Sequence, residues 1–241
     1  MSAGGGGAMD KRLKLLCAGA AKGLVETMQA RFVDEAGAII DAQFGAVGAM
    51  KEALLAGVAC DVMIVTDAMV ADLSSGRKLL GETRATLGSV RTGIAVRTGD
   101  PAIDISNAPS LQASLLASDG IYCPDLMRAT AGIHFASVLK KLGIDATVAS
   151  RLRTFPNGAT AMRELAATGL ARPIGCTQIT EINYTSGVRL VGALPEELGL
   201  ATVYSAAVSS KAVQPELALR WVQLLSGPQT RALRAAGGFE D

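Results

Sequence analysis

The sequence predicts an α/β protein of two lobes. Short apolar runs rich in β-branched residues alternate with longer stretches of helical periodicity, the pattern of a parallel sheet wound with helices. Several of those runs end in glycine- and alanine-rich junctions, where a strand hands over to a helix. The 241 residues are 49% hydrophobic and 19% charged, enough for one large domain or two intimate lobes to bury a core.

The elements follow in order. Leu13 to Cys17 reads as a buried strand, and Gly23 to Ala36 as a helix with Leu24, Met28 and Phe32 on one face. Ile39 to Phe44 is the next strand. A helix opened by Ala46 runs to Leu55, and Gly57 stops it before a strand at Val62 to Val65. A helix around Ala68 to Leu73 leads to an extended stretch, Leu87 to Val96. After Asp100-Pro101 and Asn107-Ala-Pro109 the pattern resets. It continues with helix Ser110 to Ala117, strand Ile121 to Cys123, helix Ile133 to Leu142, strand Thr147 to Thr154 and helix Ala159 to Thr168. Strands Ile174 to Thr177, Val188 to Leu194 and Ala201 to Val208 precede a helix from Pro215 to about Gly227. Two groups of β-α units joined by long extended segments assign residues 11–88 and 201–241 to one lobe and 89–200 to the other. Residues 1–10 form a flexible leader.

Composition excludes several function classes. Lys and Arg total 23 against 22 Asp and Glu, and aromatic residues are 4%, so there is neither charge nor stacking surface for nucleic acid. No apolar run reaches the ~20 residues of a membrane span, because Lys14, Lys22, Asp41, Asp61 and Asp67 interrupt the greasiest stretches. The opening Met1 to Asp10 lacks the basic and apolar regions of a secretory signal. A cytoplasmic protein is expected if Met1 is the native start, and a periplasmic one if a signal preceded it. Cys17, Cys60, Cys123 and Cys176 lie far apart without a nearby His, which argues against a metal site and for four reduced core cysteines.

Three junctions are built from small residues: Ala18-Gly-Ala-Ala-Lys-Gly23, Phe44-Gly-Ala-Val-Gly48 and Ala129-Thr-Ala-Gly132. Each presents bare N–H groups at a helix start, where unpaired donors and the helix dipole favour an anion, or else simply allows a tight turn. Three together point to an anion site. None has the spacing of a Walker loop or of Gly-x-Gly-x-x-Gly, so no nucleotide cofactor is expected. A fourth junction, Thr154-Phe-Pro-Asn-Gly158, offers Asn157 as a cap. Arg151 and Arg153 alternate along the preceding run, and Arg153 would clamp a carboxylate if its face meets the inter-lobe cleft. His134, the only histidine, falls in the first turn of its helix, where it either exchanges a proton with a ligand or fills space. Gln178 and Thr180 are polar groups just past a strand end, placed for a ligand or for ordinary helix entry.

Six segments carry a family likeness: Ala18-Gly-Ala-Ala-Lys-Gly-Leu-Val-Glu26, Phe44-Gly-Ala-Val-Gly-Ala49, Cys60-Asp-Val-Met-Ile-Val65, Thr130-Ala-Gly-Ile-His134, Gly175-Cys-Thr-Gln-Ile-Thr-Glu181, and Leu225-Ser-Gly-Pro-Gln-Thr230 with Gly238-Phe239. In that order and spacing the chain, from Leu13 to Phe239, resembles the molybdate-binding family of type 2 periplasmic binding proteins, the substrate receptors of ABC importers. The resemblance implies two α/β lobes with a ligand cleft at the hinge, a monomeric receptor and an ABC permease as partner. It also implies ligand donors: serines from the first two junctions, backbone N–H groups from the third, and usually a tyrosine late in the second lobe. The matching positions here are Ala21, Ala46 or Val47, Ala131 and Gln178. Losing two hydroxyls and a phenol would cost a tetrahedral oxyanion several kcal/mol, at ~1–3 kcal/mol per unmet group.

A di- or tricarboxylate is therefore expected in place of molybdate, held by Ala20, Ala21, Lys22, Ala46, Val47, Thr130, Ala131, Arg153, Asn157 and Gln178. Lys22, Arg91, Arg97 and Arg153 suit such separated carboxylates. One branch similar to this family, aconitate isomerase, is enzymatic and shifts a double bond between cis- and trans-aconitate. An enzyme of that kind would need a proton carrier, and His134 is the side chain with an unperturbed pKa near neutrality.

Overall fold

The computed structural model describes residues 11–241, so the expected leader at 1–10 lies outside the described residues. The chain opens with β1 (Lys11–Ala18), α1 (Lys22–Ala36), β2 (Ala38–Gly45), α2 (Val47–Leu55), β3 (Val62–Thr66) and α3 (Asp67–Ser75). The long β4 (Ala85–Arg97) leads to α4 (Ala108–Ala117), β5 (Gly120–Pro124), α5 (Thr130–Lys141) and the single-turn α6 (Asp145–Val148). Then come β6 (Leu152–Phe155), α7 (Gly158–Ala167), β7 (Pro173–Gln178), α8 (Ile179–Tyr184) and β8 (Val188–Ala193). β9 (Ala201–Val208), α9 (Pro215–Ser226) and α10 (Arg231–Gly237) close the fold.

The strands run β2-β1-β3-β9-β4-β7-β5-β6, with β8 also paired to β4. β1 pairs in parallel with β2 and β3, and β5 with β6 and β7. The sheet expected to be parallel is mixed, because β4 and β9 carry the chain between the lobes in opposite directions and pair antiparallel. Central strands are apolar along their length: Val62, Met63, Ile64 and Val65 are all fully buried, as a strand covered by helices on both faces requires.

Two apolar cores lie on either side of this crossing. The larger draws on residues 13–90 and 204–239, where Phe32 meets Trp221 edge to face at 4.8 Å between centroids. The second core, with a satellite, draws on residues 94–198. β4 gives Leu87 and Val90 to the first and Ile94 to the second. Between them, the Thr92 N–H donates to the Leu200 carbonyl (3.1 Å) and the Thr92 carbonyl accepts from Leu194 N–H (3.0 Å). A single residue thus stitches together both strands that link the lobes.

Two local expectations are corrected. Thr147 to Thr154 is not one strand: α6 and a 3-10 turn at Ala149–Arg151 take up its first half, and the strand begins at Leu152. Val148 looks strand-like in isolation but is buried in the second core from a single helical turn. The helix expected to open at Ile133 begins at Thr130, which puts His134 in its second turn. All four cysteines are free and buried, and burial pushes the Cys60 and Cys123 thiols up to about 12, so they stay protonated. Among the described residues, no helix is long and apolar enough to cross a membrane.

Candidate functional site

Four helix beginnings meet at one cavity between the lobes. The 3-10 turn Gly19–Ala21 leads into α1, and with α2 it brings Ala18, Gly19, Ala20, Ala46 and Val47 from one side. From the other side, α5 brings Ala129, Thr130 and Ala131, and α7 brings Asn157 and Gly158. The cavity volume between them is about 20 Å³, room for little more than one water molecule. Ala18, Ala46 and Ala129 stand at the N-cap positions and have no side chain that could bond the first turn. Elsewhere the chain does cap some of its helices: Thr66 accepts from Met69 N–H in α3, and Asn107 accepts from Ser110 N–H in α4. The starts at the cavity thus present N–H groups that have no intrahelical partner and no side-chain cap, as α6, α9 and α10 also do elsewhere.

The exception is α7. Asn157 caps it through the Thr160 N–H (2.9 Å), and the carboxyl of Glu181 packs against its first residues. Glu181 is the one charged side chain lining the cavity among the described residues, and it is 6% exposed. Its Oε2 accepts from the hydroxyl of Thr177 (2.5 Å), four residues back near the end of β7. Backbone N–H groups of Gly158, Ala159 and Gln178 also serve it, so a helix start satisfies a carboxylate belonging to the chain itself. Burial nonetheless dominates and raises the Glu181 pKa above the ordinary carboxylate range.

Two glycines make room for that carboxyl. A β-carbon on Gly19 would collide with Glu181 Oε1, and one on Gly158 would collide with both Glu181 Oε2 and Thr177 Oγ1.

Gln178, Tyr204 and Thr130 complete the polar lining. The Gln178 amide Nε2 donates to the Tyr204 hydroxyl (3.1 Å), joining the lobes across the cavity, while Gln178 Oε1 is buried without a partner. A phenol is thus present, on β9 of the first lobe rather than late in the second, which corrects the expected loss of that group.

Gly45, Ala46 and Asn157 also line an outer, open chamber of about 470 Å³. Phe44, Phe155, Asp125 and Arg128 stand around it. Here the lobes touch again: Arg128 pairs with Glu52 of α2, and the Arg128 carbonyl accepts from Gly48 N–H (3.3 Å).

The structure brings together Ala20, Ala46, Val47, Thr130, Ala131, Asn157 and Gln178 of the expected ligand-binding set. Ala21 faces the first core instead. Lys22 lines neither the cavity nor the outer chamber; its Nζ is 3.7 Å from Glu26 and 5.5 Å from the centroid of the Phe44 ring. Arg153 is exposed and folds back on the Ser150 and Leu152 carbonyls, so its face does not meet the cleft. Arg91 pairs with Glu240, and Arg97 with Asp100. His134 Nε2 lies 2.8 Å from the Leu198 carbonyl in the second lobe, outside the cavity lining. Thr180 lines a separate groove beside α1 and α10.

Sequence reasoning passed over Glu181, Tyr204 and Arg128. The signal for Glu181 was legible as Thr177 and Glu181 four apart across a strand-to-helix junction; nothing local marks Tyr204, which reaches the cavity only through sheet pairing.

The comparisons agree with this architecture. The profile of the family described as bacterial extracellular solute-binding proteins matches residues 13–240. Among solved structures, the periplasmic molybdate-binding protein of Azotobacter vinelandii superimposes with a TM-score of 0.78 at 18% identity, covering 94% of this chain and 98% of that one. The sulfate-binding protein of Mycobacterium tuberculosis gives 0.73 at 14% identity, covering 95% and 86%. An aconitate isomerase from Pseudomonas sp is 26% identical over 182 residues, 75% of this chain but 65% of that protein's length. The chain is a member of the bacterial extracellular solute-binding protein family, with the two-lobed α/β fold of periplasmic binding proteins.

Proposed function

We propose that this chain is a solute receptor whose lobes close on a small organic anion with more than one carboxylate, in preference to molybdate. One observation carries the reading: bare helix starts face a cavity that contains no serine and holds a fixed acidic group, Glu181. A fully ionised tetrahedral dianion filling that cavity would set its charge against an ionised Glu181. Like charges ~4 Å apart cost about 4 kcal/mol at an effective dielectric of ~20. A longer anion avoids this. One carboxylate rests on the starts of α1, α2 and α5, and the remainder extends toward the outer chamber and Arg128. Presenting the closed form to a membrane permease belongs to the same reading.

The test is thermal. Citrate, tricarballylate and succinate should each raise the melting temperature more than molybdate, tungstate or sulfate at equal concentration, since native-state binding adds RT ln(1 + [L]/Kd) of stability. A larger rise with molybdate overturns the proposal.

A second reading, an isomerase of a polycarboxylate such as aconitate, is favoured by a buried carboxyl that faces the cavity with no cation partner and by the Pseudomonas relative. Glu181, not His134, is then the proton carrier: it takes a proton from an allylic methylene and returns it to the former vinylic carbon as the double bond moves. Proton NMR of cis- or trans-aconitate with the protein checks it. Interconversion that is lost in Glu181→Gln and kept in His134→Ala supports catalysis, and no interconversion by the wild type removes it.

A further inference from the structure

We infer that the cavity selects an anion carrying its own hydrogen-bond donor, an O–H beside the anionic oxygens, and that Glu181 and Gln178 are the specificity-determining residues. The inference rests on the receptor reading above and narrows its ligand class.

The polar lining divides by direction. Donors come from the backbone at the starts of α1, α2 and α5, and from Thr130, Asn157 and Tyr204 side chains. Glu181 and Gln178 supply acceptors. Glu181 accepts from the Thr177 hydroxyl and from the N–H groups of Gly158, Ala159 and Gln178, with Oε1 on the side of Gly19 at the cavity wall, so it meets a ligand as a negative charge and not as an empty acceptor. Gln178 Oε1 is buried and unpartnered, on a residue that is 2% exposed and lines the same cavity. Asn157 Oδ1 is already spent on capping α7, and the Tyr204 oxygen accepts from Gln178.

A ligand made only of acceptor oxygens satisfies the backbone donors but leaves Gln178 Oε1 orphaned and faces Glu181 with a lone pair. A ligand hydroxyl donates the proton that Gln178 Oε1 lacks. Buried acceptors left unmet are what let a site reject an analogue lacking the hydroxyl.

Two ligand sources share this chemistry, a hydroxycarboxylate and a singly protonated tetrahedral oxyanion. Two matched pairs, measured by calorimetry on the whole chain, separate them: malate against succinate, and phosphate near neutral pH against sulfate. We expect malate to bind at least about tenfold tighter than succinate, with Glu181→Gln and Gln178→Leu each bringing that ratio toward one while the melting temperature shows both variants folded. A preference for phosphate over sulfate without one for malate assigns the site to the protonated oxyanion. Equal affinities within both pairs overturn the donor requirement while leaving anion binding in place. Binding of none of the four, nor of the tricarboxylates, overturns the receptor reading itself.

Discussion

The phenol of Tyr184, on α8 of the second lobe, donates a hydrogen bond to the Glu26 carboxylate on α1 of the first, and its ring occupies the space that a β-carbon on Gly23 would need. That bond, followed by burial, pushes the Tyr184 pKa up to about 12, so the bridge stays protonated across ordinary pH. Together with the Arg128–Glu52 pair, it ties one lobe to the other. Both bridges are largely exposed, which limits what each contributes. Tyr184→Phe keeps the ring and removes the bond. Calorimetry should show ligand affinity weakened by less than about fivefold, corresponding to less than ~1 kcal/mol.

Glu181 gives stability a pH dependence with a definite sign. Its folded pKa is raised, so ionising it opposes folding: its favourable share is complete below the unfolded pKa and is lost as pH rises through the folded one. The groups facing it are the Thr177 hydroxyl, the N–H groups of Gly158, Ala159 and Gln178, and the phenol of Tyr204; none is a cation. Glu181→Gln should therefore raise the melting temperature relative to wild type above the folded pKa, with the gain shrinking toward acid pH. A gain that grew with acidity would contradict the assignment.

Gly19 and Gly158 are required by the carboxyl that presses on them. Gly19→Ala should cost roughly 1–3 kcal/mol of unfolding free energy in urea titration, as overpacking does, and weaken ligand binding as well. Gly169→Ala is the control: no atom lies within 4 Å of its would-be β-carbon, and it should leave both quantities unchanged within about 0.5 kcal/mol.

Two of the residues that sequence reading offered for the cleft and the structure places outside it give a direct comparison. His134→Ala and Arg153→Ala should leave affinity for citrate within about twofold of wild type, since neither lines the cavity or its outer chamber. Arg128→Ala should weaken citrate more than succinate, because only the longer anion reaches the outer chamber. Isothermal titration of the four proteins settles the order.

Local patterning determined the class of fold, the succession of strands and helices, and the three junctions stripped of side chains, because apolar period, glycine placement and missing caps are properties of short segments. Leu13 to Cys17, Val62 to Val65 and the runs after them could be assigned without knowing their neighbours. Charge direction could not. Arg153 looked like a clamp by alternation, yet a 3-10 turn at Ala149–Arg151 breaks the strand on which that alternation depended. His134 moved by one turn when its helix began earlier, and Tyr204 arrived from β9 through pairing with β3 and β4. Only the packing of the lobes decided that the helix starts would share their cavity with an acid. Which side chain fills a given space depends on segments far apart in the chain, and no local period records that.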